Sequence, residues 1–219
     1  MKEKMKVYSS WSGGKDCSLA CYKAMEAGFE VSHLLNFLAE DGVRERAHGT
    51  RPFLLRLQAE AMGIPIVQVN ASWEGYESKL KAIVQELKLE RVEGGVFGDI
   101  DLLVHRVWIE RVCKEMEIEP IFPLWGRDPE DLLLEFITAG FEALVVATRV
   151  NEEWLGRRID RSFITELKAL GLHVSGESGE YHTFVTNGPL FKRRIKISEA
   201  ERVRIGDNWI LDITKGELE

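Results

Sequence analysis

At 219 residues, 45% hydrophobic and 30% charged, the chain has ordinary globular composition, with length for one large domain or two small ones and for a proper core. Its formal charge of -7 argues against a general nucleic-acid-binding surface, so DNA is not an expected partner. Cys17, Cys21 and Cys113 are odd in number and lack CxxC spacing, which speaks against both a disulfide framework and a zinc site.

The start, Met-Lys-Glu-Lys-Met-Lys, is too polar for a signal-peptide core, and a cytoplasmic protein is expected. Val7 to Trp11 reads as a short buried strand, and Leu19 to Met25 carries the apolar periodicity of a helix. Between them lie Ser12, Gly13, Gly14 and Lys15. Two adjacent glycines let successive backbone N–H groups converge on an anion, and the helix adds its own unpaired N–H groups and dipole. Lys15 would supply a mobile charge, with Asp16 or Cys17 capping the first turn. The helix closes at Gly28, and Val31 to Leu38 is a second strand.

After a polar segment from Glu40 to Thr50, Pro52 starts a helix with Leu54, Leu55, Leu57 and Ala61 on its apolar face, closed by Gly63. Ile64 to Val69 reads as a strand, Ser72 to Leu89 as a long helix and Gly94 to Phe97 as a fourth strand ending at Gly98-Asp-Ile-Asp101. Val104 to Met116 is helical, and Glu119 to Phe122 is a fifth strand. This alternation predicts an α/β Rossmann-like fold, a five-stranded parallel sheet with helices on both faces. Ligands in such sheets sit beyond the carboxyl ends of the strands. Three landmarks fall there: Ser12 to Cys17, Asn36 to Glu40, and Gly98 to Asp101.

The pattern changes at Pro123-Leu-Trp-Gly-Arg-Asp-Pro129, a junction with Asp128 as N-cap and Pro129 as first helical residue. A helix to Ala139, a strand from Ala143 to Thr148 and a helix from Phe163 to Leu170 follow. The apolar run Leu132 to Val150 is broken by Glu135, Glu142 and Arg149, so no membrane span is expected. Beyond a Gly-rich stretch, Ser175 to Thr183, the tail from Phe191 to Ile213 alternates around Gly206-Asp-Asn208 as an antiparallel hairpin. Expected boundaries are 1–122 for a nucleotide-binding domain and 123–219 for a smaller α/β domain with a C-terminal hairpin, which the resemblance given below implies is a substrate domain.

Ser12-Gly-Gly-Lys-Asp-Cys17 resembles the SGGKDS pyrophosphate loop of the N-type ATP pyrophosphatases, with cysteine where that family has serine. His48-Gly49, Gly98-Asp-Ile100, Pro123-Leu-Trp-Gly-Arg-Asp128 and Gly176-Glu-Ser-Gly-Glu-Tyr-His-Thr-Phe-Val185 narrow the resemblance to the diphthine-ammonia ligase (diphthamide synthase) family, over essentially the whole chain. The resemblance implies an ATP-dependent ligase. In it a carboxylate attacks the α-phosphate to give an acyl-adenylate and pyrophosphate, and ammonia then yields the amide and AMP. The implied protein substrate is a translation elongation factor carrying diphthine, which bears a quaternary ammonium. Two alternatives stay open: adenylation of another small-molecule or RNA substrate, and an ATP-binding sensor without chemistry. The oligomeric state is open, a homodimer included.

The resemblance implies nucleotide contacts at Ser12, Gly13, Gly14, Lys15, Asp16, Cys17, Phe37, Leu38, His48, Gly98 and Asp99. ATP would bring Mg2+, for which Asp16 and Asp99 are candidate ligands, although Asp16 also reads as a helix cap and Asp99 as a turn residue. Trp125 and Arg127 read equally as substrate contacts and as packing with a surface salt bridge. Glu177, Ser178, Glu180, Tyr181, His182 and Thr183 form the implied substrate constellation, because so many polar groups on a tight path are costly to bury without purpose. Lys15, Asp99, Glu177, Glu180 and His182 are the expected catalytic residues.

Overall fold

The structure is a computed structural model that describes residues 4–219; Met1 to Glu3 of the polar start lie outside the described residues. Strand β1 (Lys6–Ser10) lies at the centre of a parallel sheet because its apolar residues are buried on both faces. Around it stand β2 (Glu30–Leu38), β3 (Ile66–Asn70), β4 (Val92–Val96) and β5 (Glu119–Ile121), in the order β3-β2-β1-β4-β5. The order reverses beside β1, so a crevice opens between the ends of β1 and β4.

Helices α1 (Lys15–Glu26) and α2 (Pro52–Met62) cover one face, and α3 (Tyr76–Leu89) and α4 (Leu103–Met116) cover the other. The expected five-stranded sheet is present, with two shifts of detail. Helix α3 begins at Tyr76 rather than Ser72, since Ser72 Oγ instead accepts from Gly75 N in a turn before it. The third strand starts two residues later than expected, beyond Pro65, whose carbonyl accepts from Leu34 N.

The second half holds α5 (Pro129–Thr138), β6 (Glu142–Thr148), α6 (Arg161–Ala169), β7 (Tyr181–Asn187), β8 (Ile195–Ile205) and β9 (Asn208–Leu218). Its strands form an antiparallel sheet in the order β7-β6-β9-β8. Asp128 caps α5, accepting from Glu130 N and Asp131 N. The hairpin turns at Gly206, where φ is +59°, and β9 runs on to Leu218, past the expected Ile213. The end of the Gly-rich stretch, from Tyr181, is part of strand β7. One apolar core joins the halves: Leu54 and Leu55 of α2 and Leu19 of α1 share it with Val145, Phe184 and Ile213.

Candidate active site at the switch point

Backbone geometry at Ser12 to Lys15 explains both glycines. Gly13 has φ +81°, and a Cβ at Gly14 would stand 2.4 Å from His48 Cε1. Gly98 at the end of β4 is equally constrained, because a Cβ there would meet Asp16 C and Cys17 N at 2.9 Å. The end of β4 therefore lies against the start of α1, leaving a cradle that only glycines permit. Neither Asp16 nor Cys17 caps that helix: Gly14 is the N-cap and makes no side-chain cap, so the expected cap is corrected. The Gly14 carbonyl instead accepts from Ser18 Oγ at 2.8 Å and Cys17 Sγ at 3.2 Å.

The loop is held from the far half of the chain. Thr183 Oγ1 accepts from Lys15 N at 3.0 Å, and Gly13 O accepts from Val185 N at 2.9 Å. Gln58 Nε2 bridges Gly13 O and Val185 O, while its Oε1 accepts from Trp11 Nε1. His48 Nδ1 lies 3.0 Å from Thr183 O, and its ring packs on His182 with centroids 4.7 Å apart. Burial drives the pKa of His48 down to about 4, and burial with His48 and Lys15 nearby drives His182 down to about 3, so both rings are neutral at pH 7.

Lys15 is not mobile. It is buried, and its Nζ donates to Ser175 O at 2.5 Å and Asp16 Oδ2 at 2.7 Å, over the Tyr181 ring. Burial is the largest single influence and opposes its charge, but Asp16, Tyr181 and Glu177 together outweigh it and the pKa is raised. Cys17 is buried as well, and burial raises its thiol pKa, contrary to the lowered value a helix N-terminus suggests for an exposed thiol.

A cleft of about 400 Å³ runs past this cradle, lined by Ser12, Asp16, Phe37, His48, Asp99 and Glu177 among others. Burial, with Asp16 adding repulsion against the pull of Lys15, raises Glu177 to about 7. Burial likewise raises Asp99, whose Oδ1 lies 3.4 Å from His105 Nδ1. Among the described residues no group of three or more histidines, cysteines and carboxylates gathers as a metal cage. Asp16 and Asp99 nevertheless suit Mg2+, which takes one or two carboxylates plus phosphate oxygens and would relieve their mutual repulsion with Glu177.

Others of the expected residues have partners within the protein. Tyr181 is buried and its hydroxyl donates to Val174 O at 2.6 Å, and Leu38 is buried in β2. Ser178 is exposed, its carbonyl accepting from Arg149. Arg127 and Lys23 both donate to Glu135, which makes Arg127 a salt-bridge residue, and Trp125 packs on Phe122 under Arg106. Glu180 is buried facing His173 N at 3.3 Å, and its Oε2 has no hydrogen-bond partner among the described residues.

Two positioning residues escaped the sequence reading. Glu45 is buried and accepts from Ala47 N and His48 N, fixing the His48 turn, and burial pushes its pKa up to about 7. Gln58 gave a usable signal, being a polar residue inside the apolar stripe of α2.

The profile of the Diphthamide synthase N-terminal domain matches residues 5–120, and that of the Diphthamide synthase C-terminal domain matches residues 128–218. The diphthine-ammonia ligase of Homo sapiens is 33% identical over 91% of this chain and 85% of its own length. That of Danio rerio is 28% identical over 93% and 91%. A solved structure described as a predicted subunit of tRNA methyltransferase from Methanocaldococcus jannaschii covers 84% of this chain and 98% of its own, at 17% identity and a TM-score of 0.46.

Proposed function

Because the chain belongs to the diphthamide synthase family, a family of C–N bond-forming ligases, we propose that it adenylates a carboxylate of diphthine on an elongation factor with ATP and passes ammonia to it. The observation that carries this reading is the two-glycine cradle at the switch point, facing Asp16, Asp99 and Glu177 across one cleft. Residues 1–122 would serve the nucleotide and 123–219 the acceptor, with β7 serving both.

Loop amides and the α1 N-terminus would take the phosphates, and a loop already held by Gln58 and Val185 would need little rearrangement to stabilise the departing pyrophosphate. Lys15 keeps a full charge beside them. Asp16 and Asp99 would hold Mg2+, which supplies charge neutralisation at the phosphates. Glu177, poised to titrate near neutrality, is placed to take a proton from ammonium or from the attacking amine. His182, neutral at pH 7, would serve as an acceptor rather than as a cation.

The test is AMP release with ATP, ammonium chloride and diphthine-bearing elongation factor. AMP should form only when all three are present. AMP formation indifferent to the acceptor would sink the ligase assignment.

A further inference from the structure

The loop that carries His48 is stapled at both ends by one side chain from the far end of the sequence. Arg44 stands where the chain enters this loop, and Arg51 stands where it leaves, as the N-cap of α2. Both guanidiniums converge on Asp212 of β9. Arg51 Nε and Nη2 donate to its Oδ1 and Oδ2 at 2.7 and 2.8 Å, and Arg44 Nη1 and Nη2 lie 3.1 and 2.9 Å from the same two oxygens. Arg44 Nη1 also donates to Gly49 O at 2.8 Å, so the staple reaches the residue next to His48. Asp212 is 4% exposed. Two residues before it, on the same face of β9, Ile210 bears on the loop too: a Cβ at Gly49, where φ is +69°, would stand 3.0 Å from Ile210 Cδ1.

Stability alone does not call for this triad. Glu201 stands opposite Asp212 in the hairpin ladder, a pairing of like charges, and apolar residues in place of a buried ion pair often serve stability as well or better. A carboxylate shared by two guanidinium forks does what an apolar cluster cannot, because each fork accepts a narrow direction of approach and so fixes where its end of the loop stands. Between those ends Glu45 shapes the turn, and His48 reaches Thr183 O and lies against Gly14. We propose that Asp212 is a positioning residue for nucleotide binding: through it the C-terminal hairpin sets the loop that holds His48 against the glycine cradle. The inference rests on the nucleotide reading of the cleft only for which ligand gains.

Asp212→Asn keeps the shape of the side chain and removes its charge. By NMR of the ring proton, the His48 titration should rise from about 4 by roughly a unit or more towards its usual value as the loop leaves its place. ATP affinity by calorimetry should fall on the order of tenfold, and Asp212→Glu should recover most of both losses. Ile213→Val thins the shared core beside the staple without touching it, and should leave both readouts as in the wild type. Arg44→Lys, which keeps the charge and loses the fork, carries the test if Asp212→Asn does not fold. An unmoved His48 titration, or an equal shift from Ile213→Val, would reduce the triad to ordinary packing and overturn the proposal. A moved titration with unchanged ATP affinity would overturn it too. A wild type that bound no ATP would sink the nucleotide reading, and the His48 titration would still decide whether Asp212 sets the loop.

Discussion

Lowering the pH from 7 to 5 should destabilise the fold through His48 and His182, which the structure holds neutral with pKa values of about 4 and about 3. Both lie below the unfolded value near 6.5, so the unfolded chain binds more protons as the pH falls, and stability present above about pH 6.5 drains away towards the folded values. At pH 5 each ring, taken alone, costs about 2 kcal/mol relative to pH 7. The rings touch and share a neighbour, so the pair costs between about 2 and about 4 kcal/mol. Urea unfolding of the wild type and of His182→Phe at both pH values isolates the effect, since the variant keeps a ring against His48 but loses one titration. The variant should lose about 2 kcal/mol less on acidification. An identical acid loss in both proteins would show that the histidine pair is not what the cradle depends on.

Lys15→Met should abolish most AMP formation, on the order of the 3 kcal/mol that a preorganised donor supplies, while the far-ultraviolet spectrum stays native. AMP released at the wild-type rate would sink the loop assignment. Cys17, buried beneath the loop, should alkylate slowly with or without saturating ATP, and Cys17→Ser should be fully active; rapid labelling of the free protein would contradict its burial. Gly14→Ala drives a methyl into His48, so ATP affinity should fall at least tenfold by calorimetry, and retained affinity would dispose of the cradle. Glu180→Gln should leave ATP affinity near normal but depress acceptor-dependent AMP release, and a variant that amidates normally would return Glu180 to a purely structural role.

Local signals carried the reading a long way. The glycine turn between β1 and α1, the strand and helix alternation and the Asp128 cap are written in adjacent residues, and each stands where its neighbours imply. What stayed hidden depends on distant partners. Nothing beside Lys15 announces that Ser175 O will hold its amine, and nothing beside Tyr181 shows that its ring will lie under that amine. Glycines at the start of the Ser175 to Thr183 stretch hid the strand at its end, because β7 is defined by pairing with β6. The ion-pair partner of Arg127 was hidden for the same reason, since Glu135 lies one helix later.

The bond from Lys15 N to Thr183 joins residues 168 positions apart. During synthesis, a chain with residues 1–122 outside the ribosome already owns every strand of the parallel sheet but neither Thr183 nor Val185. Loop closure over that span is slow, and the glycine loop, not the sheet, has to wait for it. Nascent molecules thus carry a nucleotide loop without its backing, and nucleotide competence arrives only with the last third of translation. A truncated product would be a folded sheet that ignores ATP rather than one that consumes it without an acceptor.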